Sequence, residues 1–411
     1  MEFSFPSGFF WGMATAAHQV EGGNVYNDNW VLEHVPGTSY AESSGDACDH
    51  YHLYGEDIAR LAELGFNLYR FSLEWARIEP EEGEFSLAQL EHYRRVLAAC
   101  HEHGVTPMVT FHHFTSPRWL AAQGGWEGQR TPERFARFCE RAMAHLGDLI
   151  PQACTINEVN IGPLISSIVP NFASTRTQPW YEEAARRVGS DAAHFAPFLF
   201  ADVSHGREII MAAHHRAVEA IKAERGDCQV GLTLAMQDIQ AGPGGEEMAA
   251  HMRHELQDVY LQGTQGDDFI GVQTYSRQRF GPQGPLPAEE GVELTQSAYE
   301  FWPEALTATI RYASQATGLP VIVTENGIAT EDDTRRIAYV ERALRGVADC
   351  LREGIDVRGY TYWSALDNFE WQSGFAPKFG LIAVDRQTQQ RTVKPSARWL
   401  GQVAQANRLP Q

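Results

Sequence analysis

Two stretches place a carboxylate directly after an apolar, β-branched run: Thr155-Ile156-Asn157-Glu158 and Thr324-Glu325-Asn326-Gly327. Such a pair can act on an acetal carbon. One carboxyl gives a proton to the leaving oxygen, while the other, ionised, faces the positive charge developing on carbon. Carboxyls roughly 5–5.5 Å apart give retention of configuration, and roughly 6.5–9.5 Å leaves room for a water and gives inversion. The acid needs a pKa raised to about 6 by burial and by its partner's charge, and the nucleophile must stay ionised beside a cation or donors. Arg70 and Tyr275 are the candidate suppliers. A lone Glu at a strand end is more often an ion-pair partner or a backbone cap. Two of them, each beside an Asn, favour the chemical reading.

Elements must bring the two together. Apolar and β-branched runs recur at residues 10–16, 67–75, 107–112, 153–157, 230–236, 269–275, 321–324 and 358–364. Between them lie residues 55–64, 90–103, 132–149, 206–224, 246–262, 303–317 and 335–353. Apolar positions there recur every three or four residues, the period of one buried helix face. Strands alternating with helices predict a parallel sheet, and eight repeats predict closure into a (β/α)8 TIM barrel of the α/β class. No low-complexity linker or charge shift divides the chain, so residues 1–411 read as a single catalytic barrel domain.

In this architecture the active site sits at the C-terminal ends of the strands. Six of the eight runs end there on polar or aromatic groups: Arg70 and Glu74, His112-His113, Asn157-Glu158, Tyr275, Glu325-Asn326 and Trp363. The fourth and seventh strands face each other across the mouth, which suits the two carboxylates. Residues 161–205 read as a rim loop with short helices. Residues 276–302, rich in Gly and Pro, read as a long irregular loop that shapes entry.

Composition sets outer bounds. There are 33 Lys plus Arg against 53 Asp plus Glu, a formal net charge of −20. So acidic a surface repels phosphate backbones and anionic lipid, which argues against nucleic-acid and membrane partners. The start of the chain lacks a basic segment followed by an apolar one, and no apolar run is long enough to span a bilayer. The six cysteines are far apart, without a C-x-x-C pair, as in reduced thiols of a cytoplasmic protein. His50-x-His52, His101-x-His103 and His214-His215 lack an H-E-x-x-H arrangement or Cys partners, so no metal is expected. Nor is a cofactor, because two carboxylates suffice. Oligomeric state is not legible.

Several motifs resemble glycoside hydrolase family 1, the β-glucosidase and β-galactosidase family. They are Phe10-Trp11-Gly12-Met13-Ala14-Thr15-Ala16-Ala17-His18-Gln19-Val20-Glu21-Gly22, Ala47-Cys48-Asp49-His50-Tyr51, Tyr69-Arg70-Phe71-Ser72, Asp268-Phe269-Ile270-Gly271, Val323-Thr324-Glu325-Asn326-Gly327 and Asp367-Asn368-Phe369-Glu370-Trp371. They follow in the family's order, and the resemblance runs from about Phe5 to Trp399. It implies Glu158 as acid/base and Glu325 as nucleophile in a retaining mechanism, with Arg70 and Tyr275 orienting Glu325. It implies Asn157 on the sugar 2-hydroxyl, and Gln19, His112 and Glu370 on the outer hydroxyls. Trp363 would be the apolar floor, and Trp371 would donate its indole N–H. The implied substrate is a small β-glycoside or oligosaccharide.

Departures from the family pattern are informative. The family's Asn-Glu-Pro is Asn157-Glu158-Val159 here, which should shift the loop and leave the carboxylate in place. Its His-Trp is His112-His113, which alters one aromatic wall. Its Asn two residues before the tyrosine is Gln273, long enough to bond near the nucleophile or to crowd it. The chain is short for the family, implying trimmed rim loops and an open leaving-group side. Phospho-sugar members replace the carboxylate found here as Glu370, so an unphosphorylated glycoside is implied. A 6-phospho-glycosidase, a transglycosidase and a sugar-binding protein without activity are the alternatives.

Overall fold

The computed structural model describes residues 3–169 and 171–410. Eight parallel strands close a barrel: β1 (Phe10–Ala14), β2 (Leu68–Ser72), β3 (Thr106–His112), β4 (Gln152–Ile156), β5 (Gln229–Ala235), β6 (Phe269–Gln273), β7 (Val321–Asn326) and β8 (Val357–Trp363). They pair in chain order, and β8 returns to β1. The helices used below are α1 (His50–Leu64), α2 (Leu87–Glu102), α3 (Thr131–Leu146), α4 (Ile161–Ile168), α5 (Val203–Glu224), α6 (Glu246–Arg253), α7 (Ala305–Thr317), α8 (Asp333–Arg352) and α9 (Pro395–Ala406).

Local chemistry explains the elements. In α3, Pro132 occupies the first turn, where a missing N–H costs nothing, and Phe135, Phe138, Cys139, Ala142 and Leu146 form one buried stripe against the barrel. Each buried Phe there contributes about 1.5–3 kcal/mol. Strands such as β2 and β4 are buried along their whole length, as parallel strands covered on both faces must be. Inside the barrel, Leu68, Met108, Cys154, Phe269 and Ile322 form an apolar layer beneath the mouth. Gly231 on β5 is needed there, since a Cβ would sit 2.4 Å from the Phe269 carbonyl oxygen.

Three expectations change. Residues 276–302 are not wholly irregular: Arg277–Gly281 pairs with Asp238–Ala241 and turns through Pro282-Gln283 to pair with Gly284–Pro285. The glycines and prolines that read as loop are the hairpin's turn. The second strand stops at Ser72, and Trp75–Ile78 is a short helix. The helical stretch 246–262 is interrupted by a π-helical segment over His254–Asp258. Residues 161–205 do carry short helices, α4 and Pro179–Arg187 among them.

Candidate active site

A cavity of about 760 Å³ opens at the C-terminal ends of the strands. Eight of the ten residues singled out from sequence line it: Gln19, Asn157, Glu158, Tyr275, Glu325, Trp363, Glu370 and Trp371. Arg70 lies just beneath, fully buried, and reaches two of them. His112 stands outside.

The backbone aims these side chains by local irregularity. Along β7, Val323 pairs with Val272 and Glu325 with Gln273, so β7 carries one extra residue there. A bulge of this kind resets the alternation of faces and turns Glu325 to the mouth. At the end of β4, Asn157 and Glu158 both line the cavity although consecutive strand residues normally face opposite ways. Glu158 has φ 45°, a left-handed conformation that brings its carboxylate round beside Asn157. The same device recurs at His113-Phe114 (Phe114 φ 71°) and Glu370-Trp371 (Trp371 φ 53°), and all four residues line the cavity.

The hydrogen bonds divide the two carboxylates sharply. Arg70 Nη1 donates to Glu325 Oε1 and the Tyr275 hydroxyl donates to Glu325 Oε2, both at 2.6 Å. Burial, the largest cause, leaves the Glu325 carboxyl above its ordinary value, and these two donors limit the rise. Glu158 has only opposing influences of a different kind: burial and then the Glu325 charge hold its pKa well above the ordinary carboxylate range, with Arg70 opposing from a distance. Glu325 therefore ionises first, and Glu158 keeps its proton.

Asn157 Oδ1 accepts from Arg70 Nη2 at 2.6 Å and from Gln273 Nε2 at 2.9 Å. Its Nδ2 donates to His113 Nε2 at 3.2 Å, so that nitrogen is the unprotonated one and the His113 proton resides on Nδ1. Burial first, and then Arg70, hold His113 well below the usual imidazole range and hence neutral. His113 stacks on Trp363, with ring centroids 5.5 Å apart. Five polar atoms around the cavity are buried without a partner among the described residues: Gln19 Oε1, Gln273 Oε1, His113 Nδ1, Glu370 Oε1 and Gln237 Oε1. Each costs about 1–3 kcal/mol if left unmet, so their convergence suits a ligand rich in hydroxyls. Glu370 is pushed up to about 8, chiefly by burial.

His112 corrects the expectation by one position. Its ring packs on Trp126 and Phe198, its Nε2 lies 3.0 Å from Ser116 Oγ, and burial pushes its pKa to about 3. The next residue, His113, faces the cavity instead and is followed by an aromatic, Phe114. Sequence reasoning also passed over Ile161, Leu164, Ile165 and Ile168, which line the cavity from α4. Their helical spacing immediately after Glu158 was the available signal.

No group of three or more His, Cys, Asp or Glu side chains among the described residues is arranged to hold a metal ion. His50 Nδ1 instead lies 2.9 Å from Asp57 Oδ2, His101 Nε2 2.9 Å from the Leu149 carbonyl oxygen, and His214 Nδ1 2.8 Å from Thr155 Oγ1. All six cysteines are unpaired and buried. No helix among the described residues is long and apolar enough to cross a membrane.

Known proteins resemble this chain in sequence and in fold. The sequence pattern of Glycosyl hydrolase family 1 matches residues 1–279 and 272–409. Thermostable beta-glucosidase B of Thermobispora bispora is 33% identical over 462 aligned positions, covering 99% of this chain and 92% of that one. The crystal structure of beta-glycosidase BGL167 superposes with a TM-score of 0.95 at 60% identity, over 98% of this chain and 97% of that one. The beta-glycosidase from Pyrococcus horikoshii does so with a TM-score of 0.85 at 30% identity, over 100% and 97%. A parallel barrel with two carboxylates at its mouth and relatives of this kind define a glycoside hydrolase of the β-glucosidase type. The chain belongs to glycosyl hydrolase family 1.

Proposed function

We propose that this enzyme is a retaining β-glycosidase. It removes unphosphorylated β-D-glucosyl groups, and β-galactosyl and β-fucosyl groups as well, from the non-reducing end of small glycosides. The observation that carries the reading is the asymmetry of the two carboxylates: Glu325 is held by Arg70 and Tyr275, while Glu158 is raised by burial and by Glu325 itself.

In the first step Glu325 attacks the anomeric carbon as Glu158 gives its proton to the glycosidic oxygen. The C–O bond to the leaving group breaks, and an ester to Glu325 forms. Esterification removes the charge that held the Glu158 pKa up, so Glu158 becomes a base. It takes a proton from water, the water oxygen attacks the same carbon, and Glu325 leaves as carboxylate. Two inversions give net retention. An alcohol or sugar replacing water would give transglycosylation with the same residues. Asn157, oriented by Arg70 and Gln273, donates toward the 2-hydroxyl. Gln19, His113 and Glu370 meet the outer hydroxyls, with Trp363 as floor and the Trp371 indole N–H as a further donor. A 6-phosphate beside the buried Glu370 carboxyl would find no cation among the groups that set that carboxyl's pKa, which disfavours phosphorylated sugars. Six unpaired, buried thiols support a cytoplasmic setting.

Proton NMR of the first-formed sugar tests the mechanism: the β anomer is expected, and an initial α anomer overturns retention. Azide supplied to Glu325→Gly should yield the α-glycosyl azide, and supplied to Glu158→Ala the β-azide. The reverse pattern would exchange the two roles.

A further inference from the structure

The cavity has two unlike halves. Around Gln19, His113, Gln273 and Glu370 lie four of the five unpartnered polar atoms. On the other side of Glu158, α4 presents Ile161, Leu164, Ile165 and Ile168 at positions i, i+3, i+4 and i+7, the spacing of a single helix face. Leu199 continues that surface beside Gly162 of the helix, and Leu286 lines the cavity from the hairpin that pairs through Arg279. The helix is tied to the catalytic strand end, because the Ile161 N–H donates to the Glu158 carbonyl at 2.9 Å. The apolar face of α4 therefore begins directly beside the residue that would protonate the leaving oxygen.

Polar groups on the facing wall are mostly engaged with one another. Arg277 and Arg279 both pair with Glu289 at 2.9 Å, and Arg277 also bonds Glu300 at 2.5 Å. Gln278 donates to the Arg279 carbonyl at 3.1 Å. Gln237 Oε1 is buried there without a partner, a single acceptor. A second sugar brings several hydroxyls, and against isoleucine and leucine most would lose water without gaining a bond, at a cost. An alkyl or aryl group loses nothing there and gains by burial.

Resting on the retaining reading above, we infer that α4 selects the leaving group, and that the preferred substrates are β-glucosides of apolar alcohols or phenols rather than disaccharides. Ile165 and Ile168, both half-buried, are the specificity-determining side chains.

The test is kcat/KM, followed by glucose release, for methyl, butyl, hexyl and octyl β-D-glucosides beside cellobiose. The value should climb with chain length, at most about fourfold per methylene and at least about tenfold from methyl to octyl, and octyl glucoside should exceed cellobiose by about tenfold. The octyl-to-methyl ratio should fall at least about fivefold in Ile165→Asn and in Ile168→Asn. A flat series, or cellobiose preferred by wild type, overturns the inference and leaves the retaining glycosidase standing. A ratio unmoved in both variants removes α4 as the selecting wall. Absence of glucose from every substrate, 4-nitrophenyl β-D-glucoside included, overturns the glycosidase reading and the inference with it.

Discussion

Arg70 and Gln273 converge on one atom. Arg70 Nη2 donates to Asn157 Oδ1 at 2.6 Å, and Gln273 Nε2 donates to the same oxygen at 2.9 Å. With that oxygen filled from two sides, the Asn157 amide cannot flip, and its N–H face is committed to His113 and the cavity. The longer side chain at 273 thus orients a neighbour rather than crowding the nucleophile. Gln273→Ala should lower kcat/KM for 4-nitrophenyl β-D-glucoside by about tenfold, the effect of one neutral hydrogen bond of about 1–1.5 kcal/mol. The same variant should lose little on the 2-deoxy glucoside, where Asn157 has no hydroxyl to meet. Equal losses on both substrates would detach Gln273 from that contact.

Glu325→Gln should lower the pKa of Glu158, because the Glu325 charge is the second largest cause holding it up. The substitution also frees Arg70 to act on Glu158 alone. A carbon-13 titration of the Glu158 carboxyl reads this directly. An unchanged or higher pKa would mean that burial acts by itself and that the two carboxyls are too far apart to sense each other.

Tyr275→Phe removes a 2.6 Å bond that lowers the Glu325 pKa. A hydrogen bond to a charged group contributes about 1.5–3 kcal/mol, so kcat should fall about 10- to 150-fold. The sign of the pH effect is fixed. Without the donor the Glu325 carboxyl rises, so the acidic limb of the kcat/KM profile moves to higher pH, while the basic limb, set by Glu158, moves much less. A shift of the acidic limb to lower pH would contradict the role of the hydroxyl.

His113 and His112 should separate in kinetics. His113→Ala should raise KM and lower kcat/KM by about tenfold on glucosides, the effect of one lost hydrogen bond. His112→Ala leaves a void against Trp126 and Phe198 and should lower Tm, with a smaller effect on KM. If His112 proved the more damaging to KM, the side chains would face opposite to their observed directions.

Much of this was legible beforehand for physical reasons. Strand and helix periods are written in the spacing of apolar residues, so eight repeats and their polar ends could be located from sequence. Arg70, Asn157, Tyr275, Glu325 and Glu370 follow from those ends and from the family motifs. The direction of a side chain at a strand terminus was not legible. Met108 to Phe114 carries no mark that makes His113 rather than His112 face the mouth, and nothing in Val323-Thr324-Glu325 announces a bulge. The hairpin after Tyr275 was missed because its glycines and prolines indicate a turn as readily as a loop. The stripe on α4 was missed because an apolar helix face ordinarily means core.

The left-handed backbone at Glu158 sets durability against turnover. A non-glycine residue held there costs about 1–3 kcal/mol, and the residue concerned is a buried acid whose charged form is further disfavoured. Glu158→Gly relieves both at once and opens no void in the apolar interior, because the side chain faces the cavity. The variant should unfold at a higher temperature than the parent while cleaving substrates with poor leaving groups about 100- to 10,000-fold more slowly. A library screened for heat resistance alone would therefore enrich glycine at position 158. Only a screen that also demands released sugar would keep the glutamate, so this single dihedral records what the chain has been selected to do.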